Sequence, residues 1–135
     1  MSQKPINVKG LEHSGGVPSA CRVGPIVATS VIMGRDPITG KMPPDAEGQA
    51  RNAFRNLRSI LVAGGLDLDD VVKLTIYVAD NADRDTIFKY WNESWPDAAR
   101  RPARRTLEIP LRNGWLVQLE ALAVAKDAQT TNSAA

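Results

Sequence analysis

The chain has one histidine, His13, and one cysteine, Cys21, in 135 residues. A single cysteine closes no internal disulfide, and with one histidine beside it no four-ligand zinc set exists, so structural zinc is excluded. His13 also sits in a Ser/Gly-rich segment without a nucleophile at helix or strand spacing, which denies the chain a Ser-His-Asp arrangement. Gly10, Gly15, Gly16 and Gly24 match neither the dinucleotide nor the P-loop spacing, and Gly64-Gly65 follows a helix where those loops precede one. No cofactor is therefore expected. Long apolar runs are missing too: nothing approaches the roughly 20 residues that span a bilayer, and the first ten residues lack the apolar core of a signal peptide. The expectation is a cytoplasmic protein without membrane contact. Charge is nearly balanced, 17 Lys+Arg against 15 Asp+Glu for a net +2, too little to imply a polyanionic partner.

What is present is ordinary globular composition: 43% hydrophobic and 24% charged residues, with only seven aromatics (three Trp, two Tyr, two Phe), which leaves the core to aliphatic side chains. Residues 1–126 read as one domain and 127–135, ending in QTTNSAA, as a disordered tail with nothing to bury. Ile26 to Met33, entered through Gly24-Pro25 and left through Gly34, is expected to hold buried strand segments, followed by a turn at Asp36-Pro37-Ile38-Thr39-Gly40. Asp45 is placed to cap a helix whose apolar stripe, Ala46, Ala50, Ala53, Phe54, Leu57, Ile60 and Leu61, runs to Gly64-Gly65. Its other side carries Arg51, Asn52, Arg55, Asn56, Arg58 and Ser59, so the stripe needs a flat partner, most simply a sheet.

Val71 to Val78 fits that need, with Val72, Leu74, Ile76 and Val78 predicted on one face and Lys73, Thr75 and Tyr77 on the other. A second helix over Ala82 to Trp95 buries Ile87, Trp91 and Trp95 at i, i+4 and i+8 and stops at Pro96. Two more strands, Ala103 to Ile109 and Trp115 to Ala125, are expected to pair as a hairpin through Asn113-Gly114. The order predicts an α+β fold: a mixed β-sheet with two helices packed on one face.

The chemistry concentrates near the C-terminal strands. Arg100, Arg101, Arg104 and Arg105 fall within six residues. They read either as a solvated basic turn or as a source of one inward guanidinium fork for a carboxylate. Strand alternation separates Arg104, Thr106 and Glu108 from Arg105, Leu107 and Ile109. On the last strand Gln118 and Glu120 share a face with Leu116 and Leu122, opposite Val117, Leu119, Ala121 and Ala123. A hairpin would turn that face toward Arg104. A structural polar pair and a ligand site are equally compatible with this spacing.

From Gly15 to Ala125 the sequence resembles the reactive-intermediate deaminase family, the YjgF-like or Rid proteins, formerly labelled L-PSP endoribonucleases. The resemblance is carried by Thr29-Ser30, Asp36-Pro37-Ile38-Thr39-Gly40, Gln49-Ala50-Arg51, Asn56-Leu57, Ala63-Gly64-Gly65-Leu66, Asp70 to Thr75, Pro102-Ala103-Arg104 and Glu120-Ala121-Leu122-Ala123. It implies a chorismate-mutase-like fold, a homotrimer with ligand clefts between subunits, and hydrolysis of enamines or imines such as 2-aminoacrylate to ketoacids and ammonia. It assigns Arg104 to the substrate carboxylate and Ser30 to the cleft lining.

Three positions depart from that pattern. Allowing one deleted residue in the loop at 111–114, Gln118 stands where active members carry a glutamate; Gln orients water but takes no proton from it. Val17 replaces a cleft tyrosine, and Thr106 a cysteine. Glu120 is a candidate substitute acid, though residues two apart on a strand lie roughly 6.6 Å apart, so it needs a shifted pose or a bridging water. The resemblance thus predicts a deaminase for small carboxylate-bearing imino acids. The alternative is a non-catalytic small-carboxylate-binding homologue. Nucleic-acid binding through Arg100, Arg101 and Arg105 is disfavoured by the small net charge and by Trp91 and Trp95 reading as buried in the helix, which leaves no stacking platform.

Overall fold

The computed structural model describes residues 2–126, and the expected disordered tail, 127–135, lies outside the described residues. Seven strands, β1 (Lys4–Ile6), β2 (Ala20–Val23), β3 (Ile26–Thr29), β4 (Ile32–Met33), β5 (Val71–Val78), β6 (Ala103–Glu108) and β7 (Val117–Val124), accompany two helices, α1 (Ala46–Ala63) and α2 (Arg84–Ser94). The strands form one sheet in the order β1-β2-β3-β7-β5-β6, with β4 also pairing β7. All described pairings are antiparallel except β5 with β6. This is the mixed sheet with two helices that the order of elements predicts.

The parallel pair follows from its connection. α2 crosses over between β5 and β6, and a helical crossover returns the chain in its starting direction. β6 is an edge strand. β7 sits between β3 and β5, so the predicted β6–β7 hairpin does not form. Asn113 and Gly114 do adopt the left-handed conformation expected of Asn-Gly, at φ 58° and 73°. The chain leaving that turn goes to a different partner, because β7 buries alternate residues only in the sheet interior. Turn chemistry fixed the local bend, and burial fixed the pairing.

α1 begins where predicted: Asp45 accepts a hydrogen bond from the Gly48 amide at 2.9 Å. Its stripe of Ala50, Ala53, Phe54, Leu57, Ile60 and Leu61 is buried, and from α2 so are Ile87, Tyr90 and Trp91. They meet Leu74, Ile76 and Val78 of β5 and Val117, Leu119, Ala121 and Ala123 of β7. Truncating Leu57, which is fully buried, to Ala would cost about 2–5 kcal/mol. Val72 is the exception on β5. A bulge between Val71 and Lys73 shifts the register. Val71 faces the core in its place and Val72 is half exposed. Two short strands, β1 and β2, carry too few alternating residues to stand out in the sequence.

Two buried amides tie α1 to the segments around the sheet. The Gln49 amide nitrogen donates to the carbonyls of Pro43 and Gly114, and its oxygen accepts from the Leu116 amide at 2.8 Å. Asn56 donates to the carbonyls of Met33 and Arg35, both at 2.9 Å. Gly34 permits the contact, since a Cβ there would stand 2.2 Å from the Gln49 carbonyl oxygen. No helix among the described residues is long and apolar enough to cross a membrane.

Candidate functional site

The helices cover one face of the sheet and leave the other open, and the predicted site residues divide between the two. Arg104 is in register with Leu74 and Thr106 with Ile76, both core residues, so these side chains belong to the helix-covered face. At the sheet edge α2 supplies a platform. The Arg104 guanidinium carbon lies 4.0 Å from the Phe88 ring centre and 4.7 Å from that of Trp91. Cation–π contact of this kind contributes about 0.5–2 kcal/mol and engages the flat face of the guanidinium, leaving its N–H edge for acceptors.

Phe88, Trp91, Asn92, Arg101 and Arg104 line a shallow depression open to solvent. No carboxylate among the described residues pairs with Arg104 or Arg101. Burial, then the neighbouring positive charges of Arg101 and Arg84, disfavour the charged form of Arg104. Arg84 donates to Asn81 Oδ1 at 2.7 Å and to the Thr106 carbonyl. Below it, Thr106 Oγ1 is buried without a hydrogen-bond partner among the described residues. The Phe88–Trp91 platform is not among the features the sequence predicts. Its trace in the sequence is the i, i+3 spacing of two aromatics on a flank of α2, which the reading of Trp91 as core alone passed over.

Gln118 and Glu120 share the other face, as the parity of β7 predicts. Gln118 is in register with Tyr77 and Glu120 with Thr75. The Tyr77 hydroxyl donates to Glu120 Oε1 at 2.5 Å. That bond, then burial, then the charge of Glu120 raise the Tyr77 pKa above its ordinary value, while Arg105 opposes the shift. Tyr77 was thus a missed member of this group, legible only once β5 and β7 are known to be neighbours.

Ser30 follows β3. Since Ala28 pairs with Leu122 and Ile32 with Leu119, Ser30 lies opposite the stretch holding Glu120. Its hydroxyl donates to the Pro18 carbonyl at 2.7 Å, which brings half-exposed Val17 into the same corner. Gln118 and Glu120 thus lie on one face of the sheet and Arg104 with Thr106 on the other, while Ser30 and Val17 stand at the junction between β3 and β4. The expectation that a β6–β7 hairpin would bring Gln118 and Arg104 together within one chain is overturned, because β5 intervenes and the two side chains point away from each other.

A candidate metal centre is absent among the described residues. The chemistry on offer is anion recognition on one face and an amide, a hydroxyl and an acid on the other.

Residues 12–125 match the family model described as Endoribonuclease L-PSP. A 2-iminobutanoate/2-iminopropanoate deaminase of Escherichia coli is 32% identical over 106 residues, covering 77% of this chain and 83% of that protein. A RutC family protein of Haemophilus influenzae is 32% identical over 114 residues, covering 79% of this chain and 85% of the relative. Among solved structures, the E. coli YjgF gene product superposes with a TM-score of 0.82 at 29% identity, covering 90% of this chain and 98% of its own. E. coli TdcF with bound serine gives 0.83 at 28% identity, with coverage of 90% and 98%.

Proposed function

The chain belongs to the reactive-intermediate deaminase family, the YjgF-like or Rid proteins, and from that premise we propose that it hydrolyses small carboxylate-bearing imines and enamines to ketoacids and ammonia. The observation that carries the reading is Arg104, seated on Phe88 and Trp91 and bonded to no carboxylate among the described residues. A guanidinium held by its face has its bidentate edge available for a substrate carboxylate. Relatives named as deaminases of 2-imino acids point the same way.

The placement of the site residues favours assembly. Arg104 of one copy and Gln118 of the same copy are separated by the sheet, so a ligand touching both groups needs a second copy's open face. A homotrimer with the chorismate-mutase-like arrangement, built from one Rid-like domain over residues 1–126, supplies three such clefts. Each combines Arg104 and Thr106 of one subunit with Ser30, Val17, Gln118 and Glu120 of the next. The reading needs no cofactor and sets the protein in the cytoplasm.

In such a cleft Arg104 holds the carboxylate and fixes the adjacent C=N carbon. An enamine first takes a proton at carbon to become the imine. Water, oriented by Gln118, adds to the imine carbon as the C=N electron pair moves to nitrogen. The water oxygen loses a proton, the nitrogen gains one, and re-formation of C=O expels ammonia. Gln118 accepts a hydrogen bond from the water without removing its proton. Since a protonated imine is already electrophilic, orientation and the clamp supply most of what the step requires.

The test is ammonia and ketoacid release from freshly generated 2-aminoacrylate and a panel of bulkier imino acids, with Arg104→Ala beside wild type. Release above the spontaneous rate that depends on Arg104 is the expected result. One feature of the resemblance favours a second reading: Gln118 stands where it implies a glutamate, which suits a small-carboxylate binder. Ketoacid binding that requires Arg104, without turnover of any imine, would put that reading first.

A further inference from the structure

The depression beside Arg104 holds more positive charge than one carboxylate needs. Arg101 lines it together with Arg104. Its Nε donates to the Trp95 carbonyl at 2.8 Å, which anchors the side chain at its neck and leaves the terminal nitrogens without a bonded carboxylate among the described residues. Arg100, by contrast, is taken up by Asp69 at 2.7 Å. The run of arginines therefore sorts itself: Arg100 into an ion pair, Arg101 and Arg104 into one depression.

Holding two guanidiniums side by side costs electrostatic energy that a surface turn would avoid by letting them splay apart. Here they are restrained, Arg101 by the Trp95 carbonyl and Arg104 by two rings. Arg84 adds a third charge at the Thr106 carbonyl. A monocarboxylate satisfies one guanidinium and leaves the rest of the repulsion in place. A ligand with two anionic groups relieves it, and Asn92 on the rim offers an amide to the same ligand. We infer that Arg101 is a second anion-binding group and that the substrate class is the dicarboxylic 2-imino acid, one carboxylate on Arg104 and the other on Arg101.

This inference rests on the deaminase reading of the Arg104 cleft, and its test separates the two. The imines are formed in situ by oxidation of the parent amino acids: 2-iminosuccinate and 2-iminoglutarate against 2-iminopropanoate and 2-iminobutanoate. Wild type is expected to show at least a roughly tenfold higher kcat/KM on a diacid. Arg101→Ala is expected to lower diacid turnover roughly ten- to hundredfold, the worth of one charge-assisted hydrogen bond, while monoacid turnover stays near wild type. Arg101→Lys, which keeps the charge without the fork, should retain part of the preference. Equal loss on both substrate classes, or a wild-type preference for monoacids, overturns the inference and leaves the deaminase reading standing. Should no imine be turned over, calorimetric titration with 2-oxoglutarate and 2-oxobutanoate decides. Tighter diacid binding that Arg101→Ala abolishes sustains the two-anion site while the deaminase reading falls; equal affinities overturn both.

Discussion

The two faces of the sheet hold their polar groups in opposite ways. On the helix-covered face, Arg104 is positioned by aromatic rings and its hydrogen-bonding edge remains uncommitted. On the open face, Glu120 is positioned by a hydrogen bond from Tyr77, so one of its oxygens is already engaged. Positioning through a π-face preserves donor capacity, whereas positioning through a hydrogen bond consumes acceptor capacity. The first arrangement suits a group that must grip an incoming anion. The second suits a group that shapes a wall, which argues against Glu120 as a ready substitute for the glutamate that the family resemblance implies at position 118.

The sharpest way to break this contrast is to remove the proposed clamp. Arg104→Ala is expected to reduce kcat/KM roughly 10²- to 10³-fold, since two charge-assisted hydrogen bonds are lost. Thermal stability should fall only by what the ring contacts contribute, about 0.5–2 kcal/mol, because Arg104 makes no ion pair among the described residues. A comparable loss of stability would instead make Arg104 a structural residue. Next in size is Gln118→Glu, which places a carboxylate where the family resemblance implies one, on the same face as Glu120. The neighbouring negative charge raises the proton affinity of the new carboxylate, which strengthens it as a base. The variant is expected to gain roughly 10²-fold in turnover, the lower end of what a positioned base contributes. An unchanged rate would mean that water activation in this cleft does not pass through position 118.

How much of this was legible in the sequence depends on whether a feature is local. The stripe of α1, the cap at Asp45 and the alternation of β7 are set by neighbours a few residues away, and all three appear as the periodicity predicts. The separation of Arg104 from Arg105 is likewise a matter of parity. What was not legible is strand adjacency. Asn113-Gly114 carries every mark of a hairpin turn, yet β7 lies between β3 and β5, because its wholly buried inner row needs neighbours on both sides. The bulge at Val71/Lys73 was equally invisible, since both candidate inward residues are valines. Tyr77 joins Glu120, and Phe88 joins Arg104, only through contacts that span strands and helices, so both partners had to come from the structure.

A smaller effect tests the helix-covered face. Thr106 Oγ1 is buried without a partner among the described residues. Replacing it with a methyl in Thr106→Val removes an unsatisfied group of the same shape and is expected to stabilise the free protein by about 1 kcal/mol, read as a rise in Tm. The same variant should weaken ketoacid binding if the hydroxyl serves the ligand. A fall in Tm would show that the hydroxyl is satisfied in solution, and with it that this part of the cleft is wetter than its packing implies.

The smallest effect belongs to the open face. Tyr77 has its pKa raised from the ordinary 10.0, chiefly by the hydrogen bond to Glu120. The folded state thus favours the protonated phenol more than the unfolded chain does. The associated stabilisation is fully present below pH 10 and disappears as pH rises through the folded-state value. Tyr77→Phe should therefore cost about 1 kcal/mol or less near neutral pH, the worth of one half-exposed hydrogen bond. Because phenylalanine has no proton to lose, the gap in denaturation midpoint between the two proteins should close as the pH is raised past 10. A gap that stays constant across that range would mean the Tyr77–Glu120 bond adds nothing to stability, and the open face would then owe its arrangement to strand register alone.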